Sequence, residues 1–278
     1  MESTYYTVLD GKNTEPKNNN MKHETNILKE FLRMPLGSTE AIFRKFAGLN
    51  APGMEWRNNG NQEQFLYIPG TRDDKVVLVA HADTVWHGSN DPHTLKIDGD
   101  KISSLERNVG LGADDRAGCA ILWLLRNSGH SLLITDGEEY GQIGSNWLKK
   151  YNKDVLEALN KHQFMIEFDR KNAFDFKTYG VGSLDFDSWI SCQTGYGFKP
   201  NESVTDICTL CRDICGVNFS VGYYKTPIRL ANTSWLTNGT TLTKQSHFLS
   251  KGTLKSFYCH TSCNGLHKPV WEKETETQ

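Results

Sequence analysis

VVLVAHADT, residues Val76–Thr84, runs through five apolar positions and then reaches His81-Ala82-Asp83. An unbroken Val/Leu/Ala run of this length is the pattern of a strand buried on both faces, as parallel strands of α/β proteins are. The construction recurs in LGADDRAG (Leu111–Gly118), LLITDGEE (Leu132–Glu139) and FMIEFDR (Phe164–Arg170). Each is a short apolar run, or a thin Gly/Ala loop, that ends in or is followed by carboxylates. Strands that bring oxygen and imidazole donors to one edge of a sheet are how an α/β enzyme assembles a metal site. One such ending has an ordinary explanation in a solvated turn. Four of them, all flanking predicted core elements, point to shared chemistry.

The segments on either side fit the same architecture. Thr25–Leu32 and Thr39–Ala47 have helical spacing, the second behind a Ser38 cap. Gln64–Ile68 and Val76–Ala80 read as strands joined by a turn around Gly70–Asp74, and His87–His93 reads as loop. Leu95–Ile102, with Asp98-Gly99 at its middle, has the pattern of a hairpin. Ala117–Arg126 is apolar on most faces and predicts a buried helix. Ser131–Thr135 is a strand, Gly144–Lys150 starts a helix, and Leu156–His162 ends one before the strand Phe164–Phe168. Thr205–Ile214 is helical and Val217–Tyr224 is a strand. The alternation predicts an α/β fold: a mixed, mostly parallel sheet sandwiched by helices in three layers.

Bulk properties narrow the function. The chain has 278 residues, is 37% hydrophobic and 23% charged, and carries a net charge of −2. That balance gives no reason to expect a nucleic-acid partner. No apolar stretch approaches the roughly 20 residues needed to span a bilayer, and Met1–Lys22 is polar without a secretory h-region, so a cytoplasmic setting is expected. Residues 1–22 are rich in Asn, Lys, Thr and Glu and read as disordered. The seven cysteines are an odd count in a chain too large to need disulfides. Cys208, Cys211 and Cys215 resemble a zinc cluster by spacing. The same spacing puts all three on one helix face, and buried cysteine as a small apolar side chain is the preferred reading.

Residue by residue, the four endings divide the work. His81 and Asp83 at i, i+2 face the same side of an extended chain, so Asp83 can hold one ring nitrogen while the other binds metal. Asp114 and Asp115 follow a thin Gly/Ala backbone and precede a helix. Capping of the helix explains Asp115; Asp114 is left as a carboxylate able to bridge two cations. Glu138 and Glu139 can separate roles, one binding metal and the other taking a proton from water. Asp169 leaves a buried strand, where an unpaired carboxylate is costly; Arg170 beside it offers a salt bridge as the alternative.

These four motifs, HAD, GADDRAG, GEE and EFDR, resemble in type and order the signature of the co-catalytic di-zinc exopeptidases, the clan of zinc aminopeptidases, zinc carboxypeptidases and tripeptide aminopeptidases. The resemblance runs from about Thr25 to Tyr224 and implies a mixed sheet sandwiched by helices. Carried onto matching positions, it implies that His81 and Asp169 bind one zinc, Glu139 the other, and Asp114 both. Asp83 would orient His81. Glu138 would be the general base for a water bridging the metals, which attacks a peptide or amide carbonyl. The clan's carboxypeptidase-like branch inserts a dimerisation domain after the aspartate matched here by Asp169. The short interval to Thr205-Asp206 has no room for one, which favours a single-domain, aminopeptidase-like enzyme over residues 23–224.

The resemblance stops after Tyr224. The family continues into a His-Thr-x-x-Glu turn that supplies the last zinc ligand, whereas this chain reads KTPIRLANTSW over Lys225–Trp235. Read two bases on, allowed codons for that segment give Asn-Thr-His-Thr-Pro-Gly-Glu-Tyr-Leu-Val. The expectation is that Lys225–Gln278 is an atypical, out-of-frame and poorly ordered tail, which would leave the second zinc without its histidine and impair activity; if the frame is native instead, His247, His260 or His267 would be the replacement. The leading functional reading is a zinc-dependent aminopeptidase acting on peptides. A deacylase or carboxypeptidase acting on N-acyl amino acids or peptides through the same two metals, and a non-catalytic metal-binding protein, are the alternatives. Cobalt or manganese would also suit the carboxylate-rich donor set.

Overall fold

The computed structural model describes residues 15–85, 93–99, 101–106, 109–200, 203–225, 234–237, 249 and 254–257. In chain order the elements are α1 (Glu15–Leu32), α2 (Glu40–Ala47), β1 (Glu55–Asn58), β2 (Gln64–Ile68), β3 (Val77–His81), β4 (Leu95–Asp98), β5 (Lys101–Ser104), α3 (Ala113–Leu125) and β6 (Ser131–Thr135). They continue with α4 (Ile143–Tyr151), α5 (Lys153–Leu159), β7 (Met165–Arg170), β8 (Asp175–Lys177), α6 (Leu184–Thr194), β9 (Gly197–Phe198), α7 (Asp206–Leu210), β10 (Gly216–Ser220), β11 (Tyr223–Lys225) and β12 (Ser234–Thr237).

The main sheet has eight strands in the order β1-β2-β6-β3-β7-β10-β8-β9. Its centre, β6-β3-β7-β10, is parallel throughout, while β2 and β8 join that block antiparallel. Every residue of β3 and β6 is buried, as their unbroken apolar runs predict. Alternate residues face different layers. Leu78 and Ala80 join a core with Phe31, Phe43, Phe46 and Phe168. Val77 and Val79 join a second with Leu133, Leu148, Leu156 and Ile207. The α/β, three-layer expectation therefore holds. A smaller antiparallel sheet, β11-β12-β5-β4, contains the hairpin expected around Asp98-Gly99.

The parallel block fixes the position of chemistry. Its four strands share one direction, so the residues at and just beyond their carboxyl ends gather along one edge, where open α/β sheets bind ligands. Helix α3 brings its amino-terminal loop to that edge by lying against β7. A Cβ at Gly118 would sit 2.0 Å from the Phe168 carbonyl oxygen, so only glycine permits this approach.

Several local expectations are corrected. The helix read over Thr205–Ile214 ends at Leu210, and Cys211 is extended. Cys211 and Cys215 are both buried, but in different cores, so the three cysteines do not share a helix face. Burial holds for Cys211 and Cys215, Cys208 is half-buried, and the shared helix face does not form. Val217–Tyr224 is two strands, β10 and β11, in different sheets; Gly222 turns the chain between them at a φ of 94°. Helix α1 starts at Glu15, inside the segment read as disordered. In the tail, Leu249 and Leu254 are buried and Phe257 packs on the first core, while the Leu254 N–H donates to Asp74 at 2.9 Å. His247, His260 and His267 lie outside the described residues. Among the described residues no helix is long and apolar enough to cross a membrane.

Candidate metal centre

His81 is the last residue of β3 and is fully buried. Its Nδ1 lies 3.2 Å from both the backbone carbonyl and Oδ1 of Asp83, two acceptors. Nδ1 therefore carries the proton, which leaves the Nε2 lone pair directed outward. Nε2 faces carboxylates only: Asp169 Oδ1 at 3.4 Å, Asp114 Oδ1 at 3.5 Å and Glu138 Oε2 at 3.9 Å. Lone pairs from an imidazole and three carboxylates converging on one point require positive charge there, either a proton or a cation.

Asp83 does more than hold the ring. Its Oδ1 accepts the Glu138 N–H and its Oδ2 the Glu139 N–H, both at 3.1 Å. One buried carboxylate thus fixes the imidazole of β3 and the acidic turn after β6 relative to each other. Its pKa is lowered; burial works against that, but the adjacent His81 and the two N–H donors outweigh it.

Asp114 and Asp115, joined by a cis peptide bond, have non-helical backbone angles at the start of α3. They point to different tasks. Asp115 Oδ1 accepts the Gly118 N–H at 2.8 Å, an N-terminal cap, and Oδ2 accepts the His81 N–H at 3.2 Å. Asp114 faces the cleft and accepts the Tyr223 hydroxyl at 2.7 Å. The salt bridge offered as the alternative for Asp169 is absent. Arg170 instead pairs with Asp175 at 2.8 Å, and Asp169 Oδ2 accepts from Asn218 Nδ2 at 3.1 Å and the Thr205 hydroxyl at 3.4 Å.

The electrostatics follow from crowding buried acids. Burial, reinforced by Asp169, Asp206 and Glu139, pushes Glu138 up to about 9. Burial and Asp114 push Glu139 up to about 7. Burial and Asp169 raise Asp114 to about 6 against the pull of His81. Asp169 stays low because the His81 contact overcomes its burial. Behind them lie two further buried acids, Glu167 and Asp206, both raised by burial. A buried set of carboxylates of this kind is chemically able to exchange its protons for a divalent cation.

The donor set fits such a cation. Ligand atoms of His81, Asp114 and Glu139 lie within 4.8 Å of one another, and so do those of His81, Asp115 and Asp169. In the second group Asp115 has both oxygens engaged by N–H donors, so Asp169 is the freer carboxylate. All six residues singled out in the sequence (His81, Asp83, Asp114, Glu138, Glu139 and Asp169) come together here. Tyr223, Asn218 and Thr205 were missed, since each occupies an unremarkable position in a strand or at a helix cap.

The sequence matches no protein-family model and no curated protein. Solved structures do match. Aminopeptidase PepT from Bacillus cereus ATCC 10987 aligns with a TM-score of 0.55 over 83% of this chain and 96% of its own, at 12% identity. The TET1 peptidase of Pyrococcus horikoshii gives 0.56 over 82% and 98%, also at 12% identity. Aminopeptidase APDkam598 from the archaeon Desulfurococcus kamchatkensis gives 0.56 over 85% and 96%, at 10% identity. At these identities the likeness is one of fold: this chain has the sheet and helix arrangement of aminopeptidases.

Proposed function

We propose that this protein is a zinc-dependent exopeptidase, an aminopeptidase of the single-domain type. The observation that carries the reading is the convergence of His81 Nε2 with the carboxylates of Asp114, Asp169 and Glu138 at the carboxyl edge of the parallel strands. The aminopeptidase fold of the chain supports it. His81, Asp169, Asp114 and Glu139 would hold the metal. Bound zinc would supply Lewis acidity, polarising the scissile carbonyl and making water easier to deprotonate.

The residues of the chain do the rest. Glu138 sits among the donors on a turn clamped by Asp83, which positions its carboxylate to take a proton from water and return it to the leaving amine. Asp83 keeps the His81 proton on Nδ1, so that Nε2 remains a donor. Among the described residues His81 is the one histidine in the donor groups, so metal content is informative in itself.

Zinc per chain after reconstitution and dialysis, followed by hydrolysis of peptides blocked at one terminus or the other, tests the reading. Bound zinc with cleavage that needs a free amino terminus is the expected result. Cleavage that needs a free carboxyl terminus, or only an N-acyl group, would reassign the enzyme to the carboxypeptidase or deacylase alternatives. Full metal loading with no cleavage would reject catalysis.

A further inference from the structure

Arg116 lies in the first turn of α3, just beyond Asp114 and Asp115, and is fully buried. A guanidinium in such a place is ordinarily matched by a carboxylate, because burying an unpaired charge is costly. Here its hydrogen bonds among the described residues all go to backbone carbonyls. Nη1 donates to Ala82, while Nη2 donates to Pro35 at 2.8 Å and to Ser38 at 3.1 Å. Nε has no acceptor. Asp83, Asp115 and Asp136 favour its charge through space. The Ala82 carbonyl lies between His81 and Asp83, whereas Pro35 and Ser38 belong to the loop joining α1 to α2. One planar fork thus couples the turn carrying the imidazole donor to a distant loop.

That loop supports further parts of the centre. The Thr84 hydroxyl, next to Asp83, donates to the Leu36 carbonyl at 3.2 Å. Leu36 also packs against Gly112, where an added Cβ would lie 2.3 Å from Leu36 Cδ2, so the loop before Asp114 rests on it too. The Thr39 hydroxyl donates to Asp136 at 3.0 Å, and Asp136 opens the turn of Glu138 and Glu139. Three of the four ligand-bearing segments therefore rest on Pro35–Thr39. This loop supplies no residue to the donor groups. Its contacts decide where the donors stand.

We propose that Arg116 is a positioning residue: its fork, anchored on the Pro35–Thr39 loop, sets the His81–Asp83 turn so that His81 can bind metal and Asp83 can hold the Glu138–Glu139 turn. The proposal rests on the exopeptidase reading only for the metal that His81 binds. Lysine cannot replace the fork. A single ammonium carries the charge without spanning Ala82 on one side and Pro35 and Ser38 on the other.

Arg116→Lys separates positioning from charge, and hydrogen exchange of the apoprotein reads it without metal. The Glu138 and Glu139 amides, which donate to Asp83, should exchange about tenfold faster in the variant, the size of one lost hydrogen bond, while β10 keeps its wild-type rate. Chelator competition should show zinc bound about tenfold more weakly. The visible spectrum of the cobalt-loaded variant should shift, since the ligand field follows donor geometry. Thr84→Val removes another bond to the same loop and keeps the side chain's shape. It should give the same local pattern, and it decides the matter if the lysine variant does not fold. Wild-type exchange at the acidic turn with wild-type zinc affinity and cobalt spectrum would overturn the proposal. Faster exchange spread equally over β10 would overturn it as well, leaving Arg116 a role in stability alone. Wild-type protein that binds neither zinc nor cobalt would reject the metal reading, and exchange in the apoprotein would still decide whether Arg116 positions the turn.

Discussion

The hydroxyl of Tyr223 donates to Asp114 Oδ2 at 2.7 Å, tying β11 to the loop that opens α3 across 109 residues of sequence. The bond leaves Asp114 with one oxygen directed at His81 and the other anchored. Partners of this kind fix the orientation of a ligating carboxylate, and their removal weakens metal binding by about 10- to 100-fold. Tyr223→Phe keeps the buried ring and deletes only the donor. Zinc affinity measured by chelator competition should fall by about tenfold with the apo fold retained. Unchanged affinity would mean that Asp114 needs no such support.

Glu138 is the one acid of the centre that the proposed mechanism uses for proton transfer rather than for holding metal. Glu138→Ala should therefore lower kcat by about a hundredfold or more while zinc content stays at the wild-type level. Loss of zinc along with activity would make Glu138 a ligand and send the search for a base to Glu139.

The two adjacent aspartates separate by experiment. Asp115 satisfies two buried N–H groups, those of His81 and Gly118, and Asp115→Ala orphans both. That should destabilise the apoprotein by about 2–5 kcal/mol in urea unfolding. Asp114→Asn removes a charge from a crowd of like charges, so apo stability should hold or rise while zinc content falls. The reverse pattern would exchange their roles.

The sequence exposed most of this centre because candidate ligands carried at strand ends leave a local signature. His81 follows an unbroken apolar run and Asp169 one interrupted only by Glu167, both readable as buried strands, and the acidic turn follows a third. Long-range partners leave none. Asn218 lies inside VNFSV and Tyr223 two residues after it, and nothing in their neighbourhood indicates that β10 sits beside β7 or that Gly222 redirects the chain. The cysteine segment failed for a different reason. Its helical period was real in the sequence, but the helix stops at Leu210 so that Cys211 and Cys215 can pack into separate cores. Packing on the sheet outweighed local periodicity.

His162 gives the fold a pH dependence of its own. Its Nδ1 faces the Ala158 and Leu159 carbonyl oxygens at 3.0 Å, so Nδ1 is protonated and Nε2 accepts from the Ser131 hydroxyl at 2.7 Å. Burial, only partly offset by those carbonyls, pushes its pKa down from 6.5 to about 4. Above pH 6.5 the ring is neutral in both folded and unfolded chains and contributes no slope. Between 6.5 and 4 the unfolded chain binds a proton that the folded one refuses, so stability falls as the pH falls, by about 1.4 kcal/mol per pH unit and about 3 kcal/mol in all. Below 4 the slope ends. His162→Gln has no proton to gain, and its lost hydrogen bonds offset stability equally at every pH. Urea unfolding of the two apoproteins at several pH values should show wild type declining more steeply across this window. Parallel curves would mean that the folded protein accepts a proton on His162 without penalty.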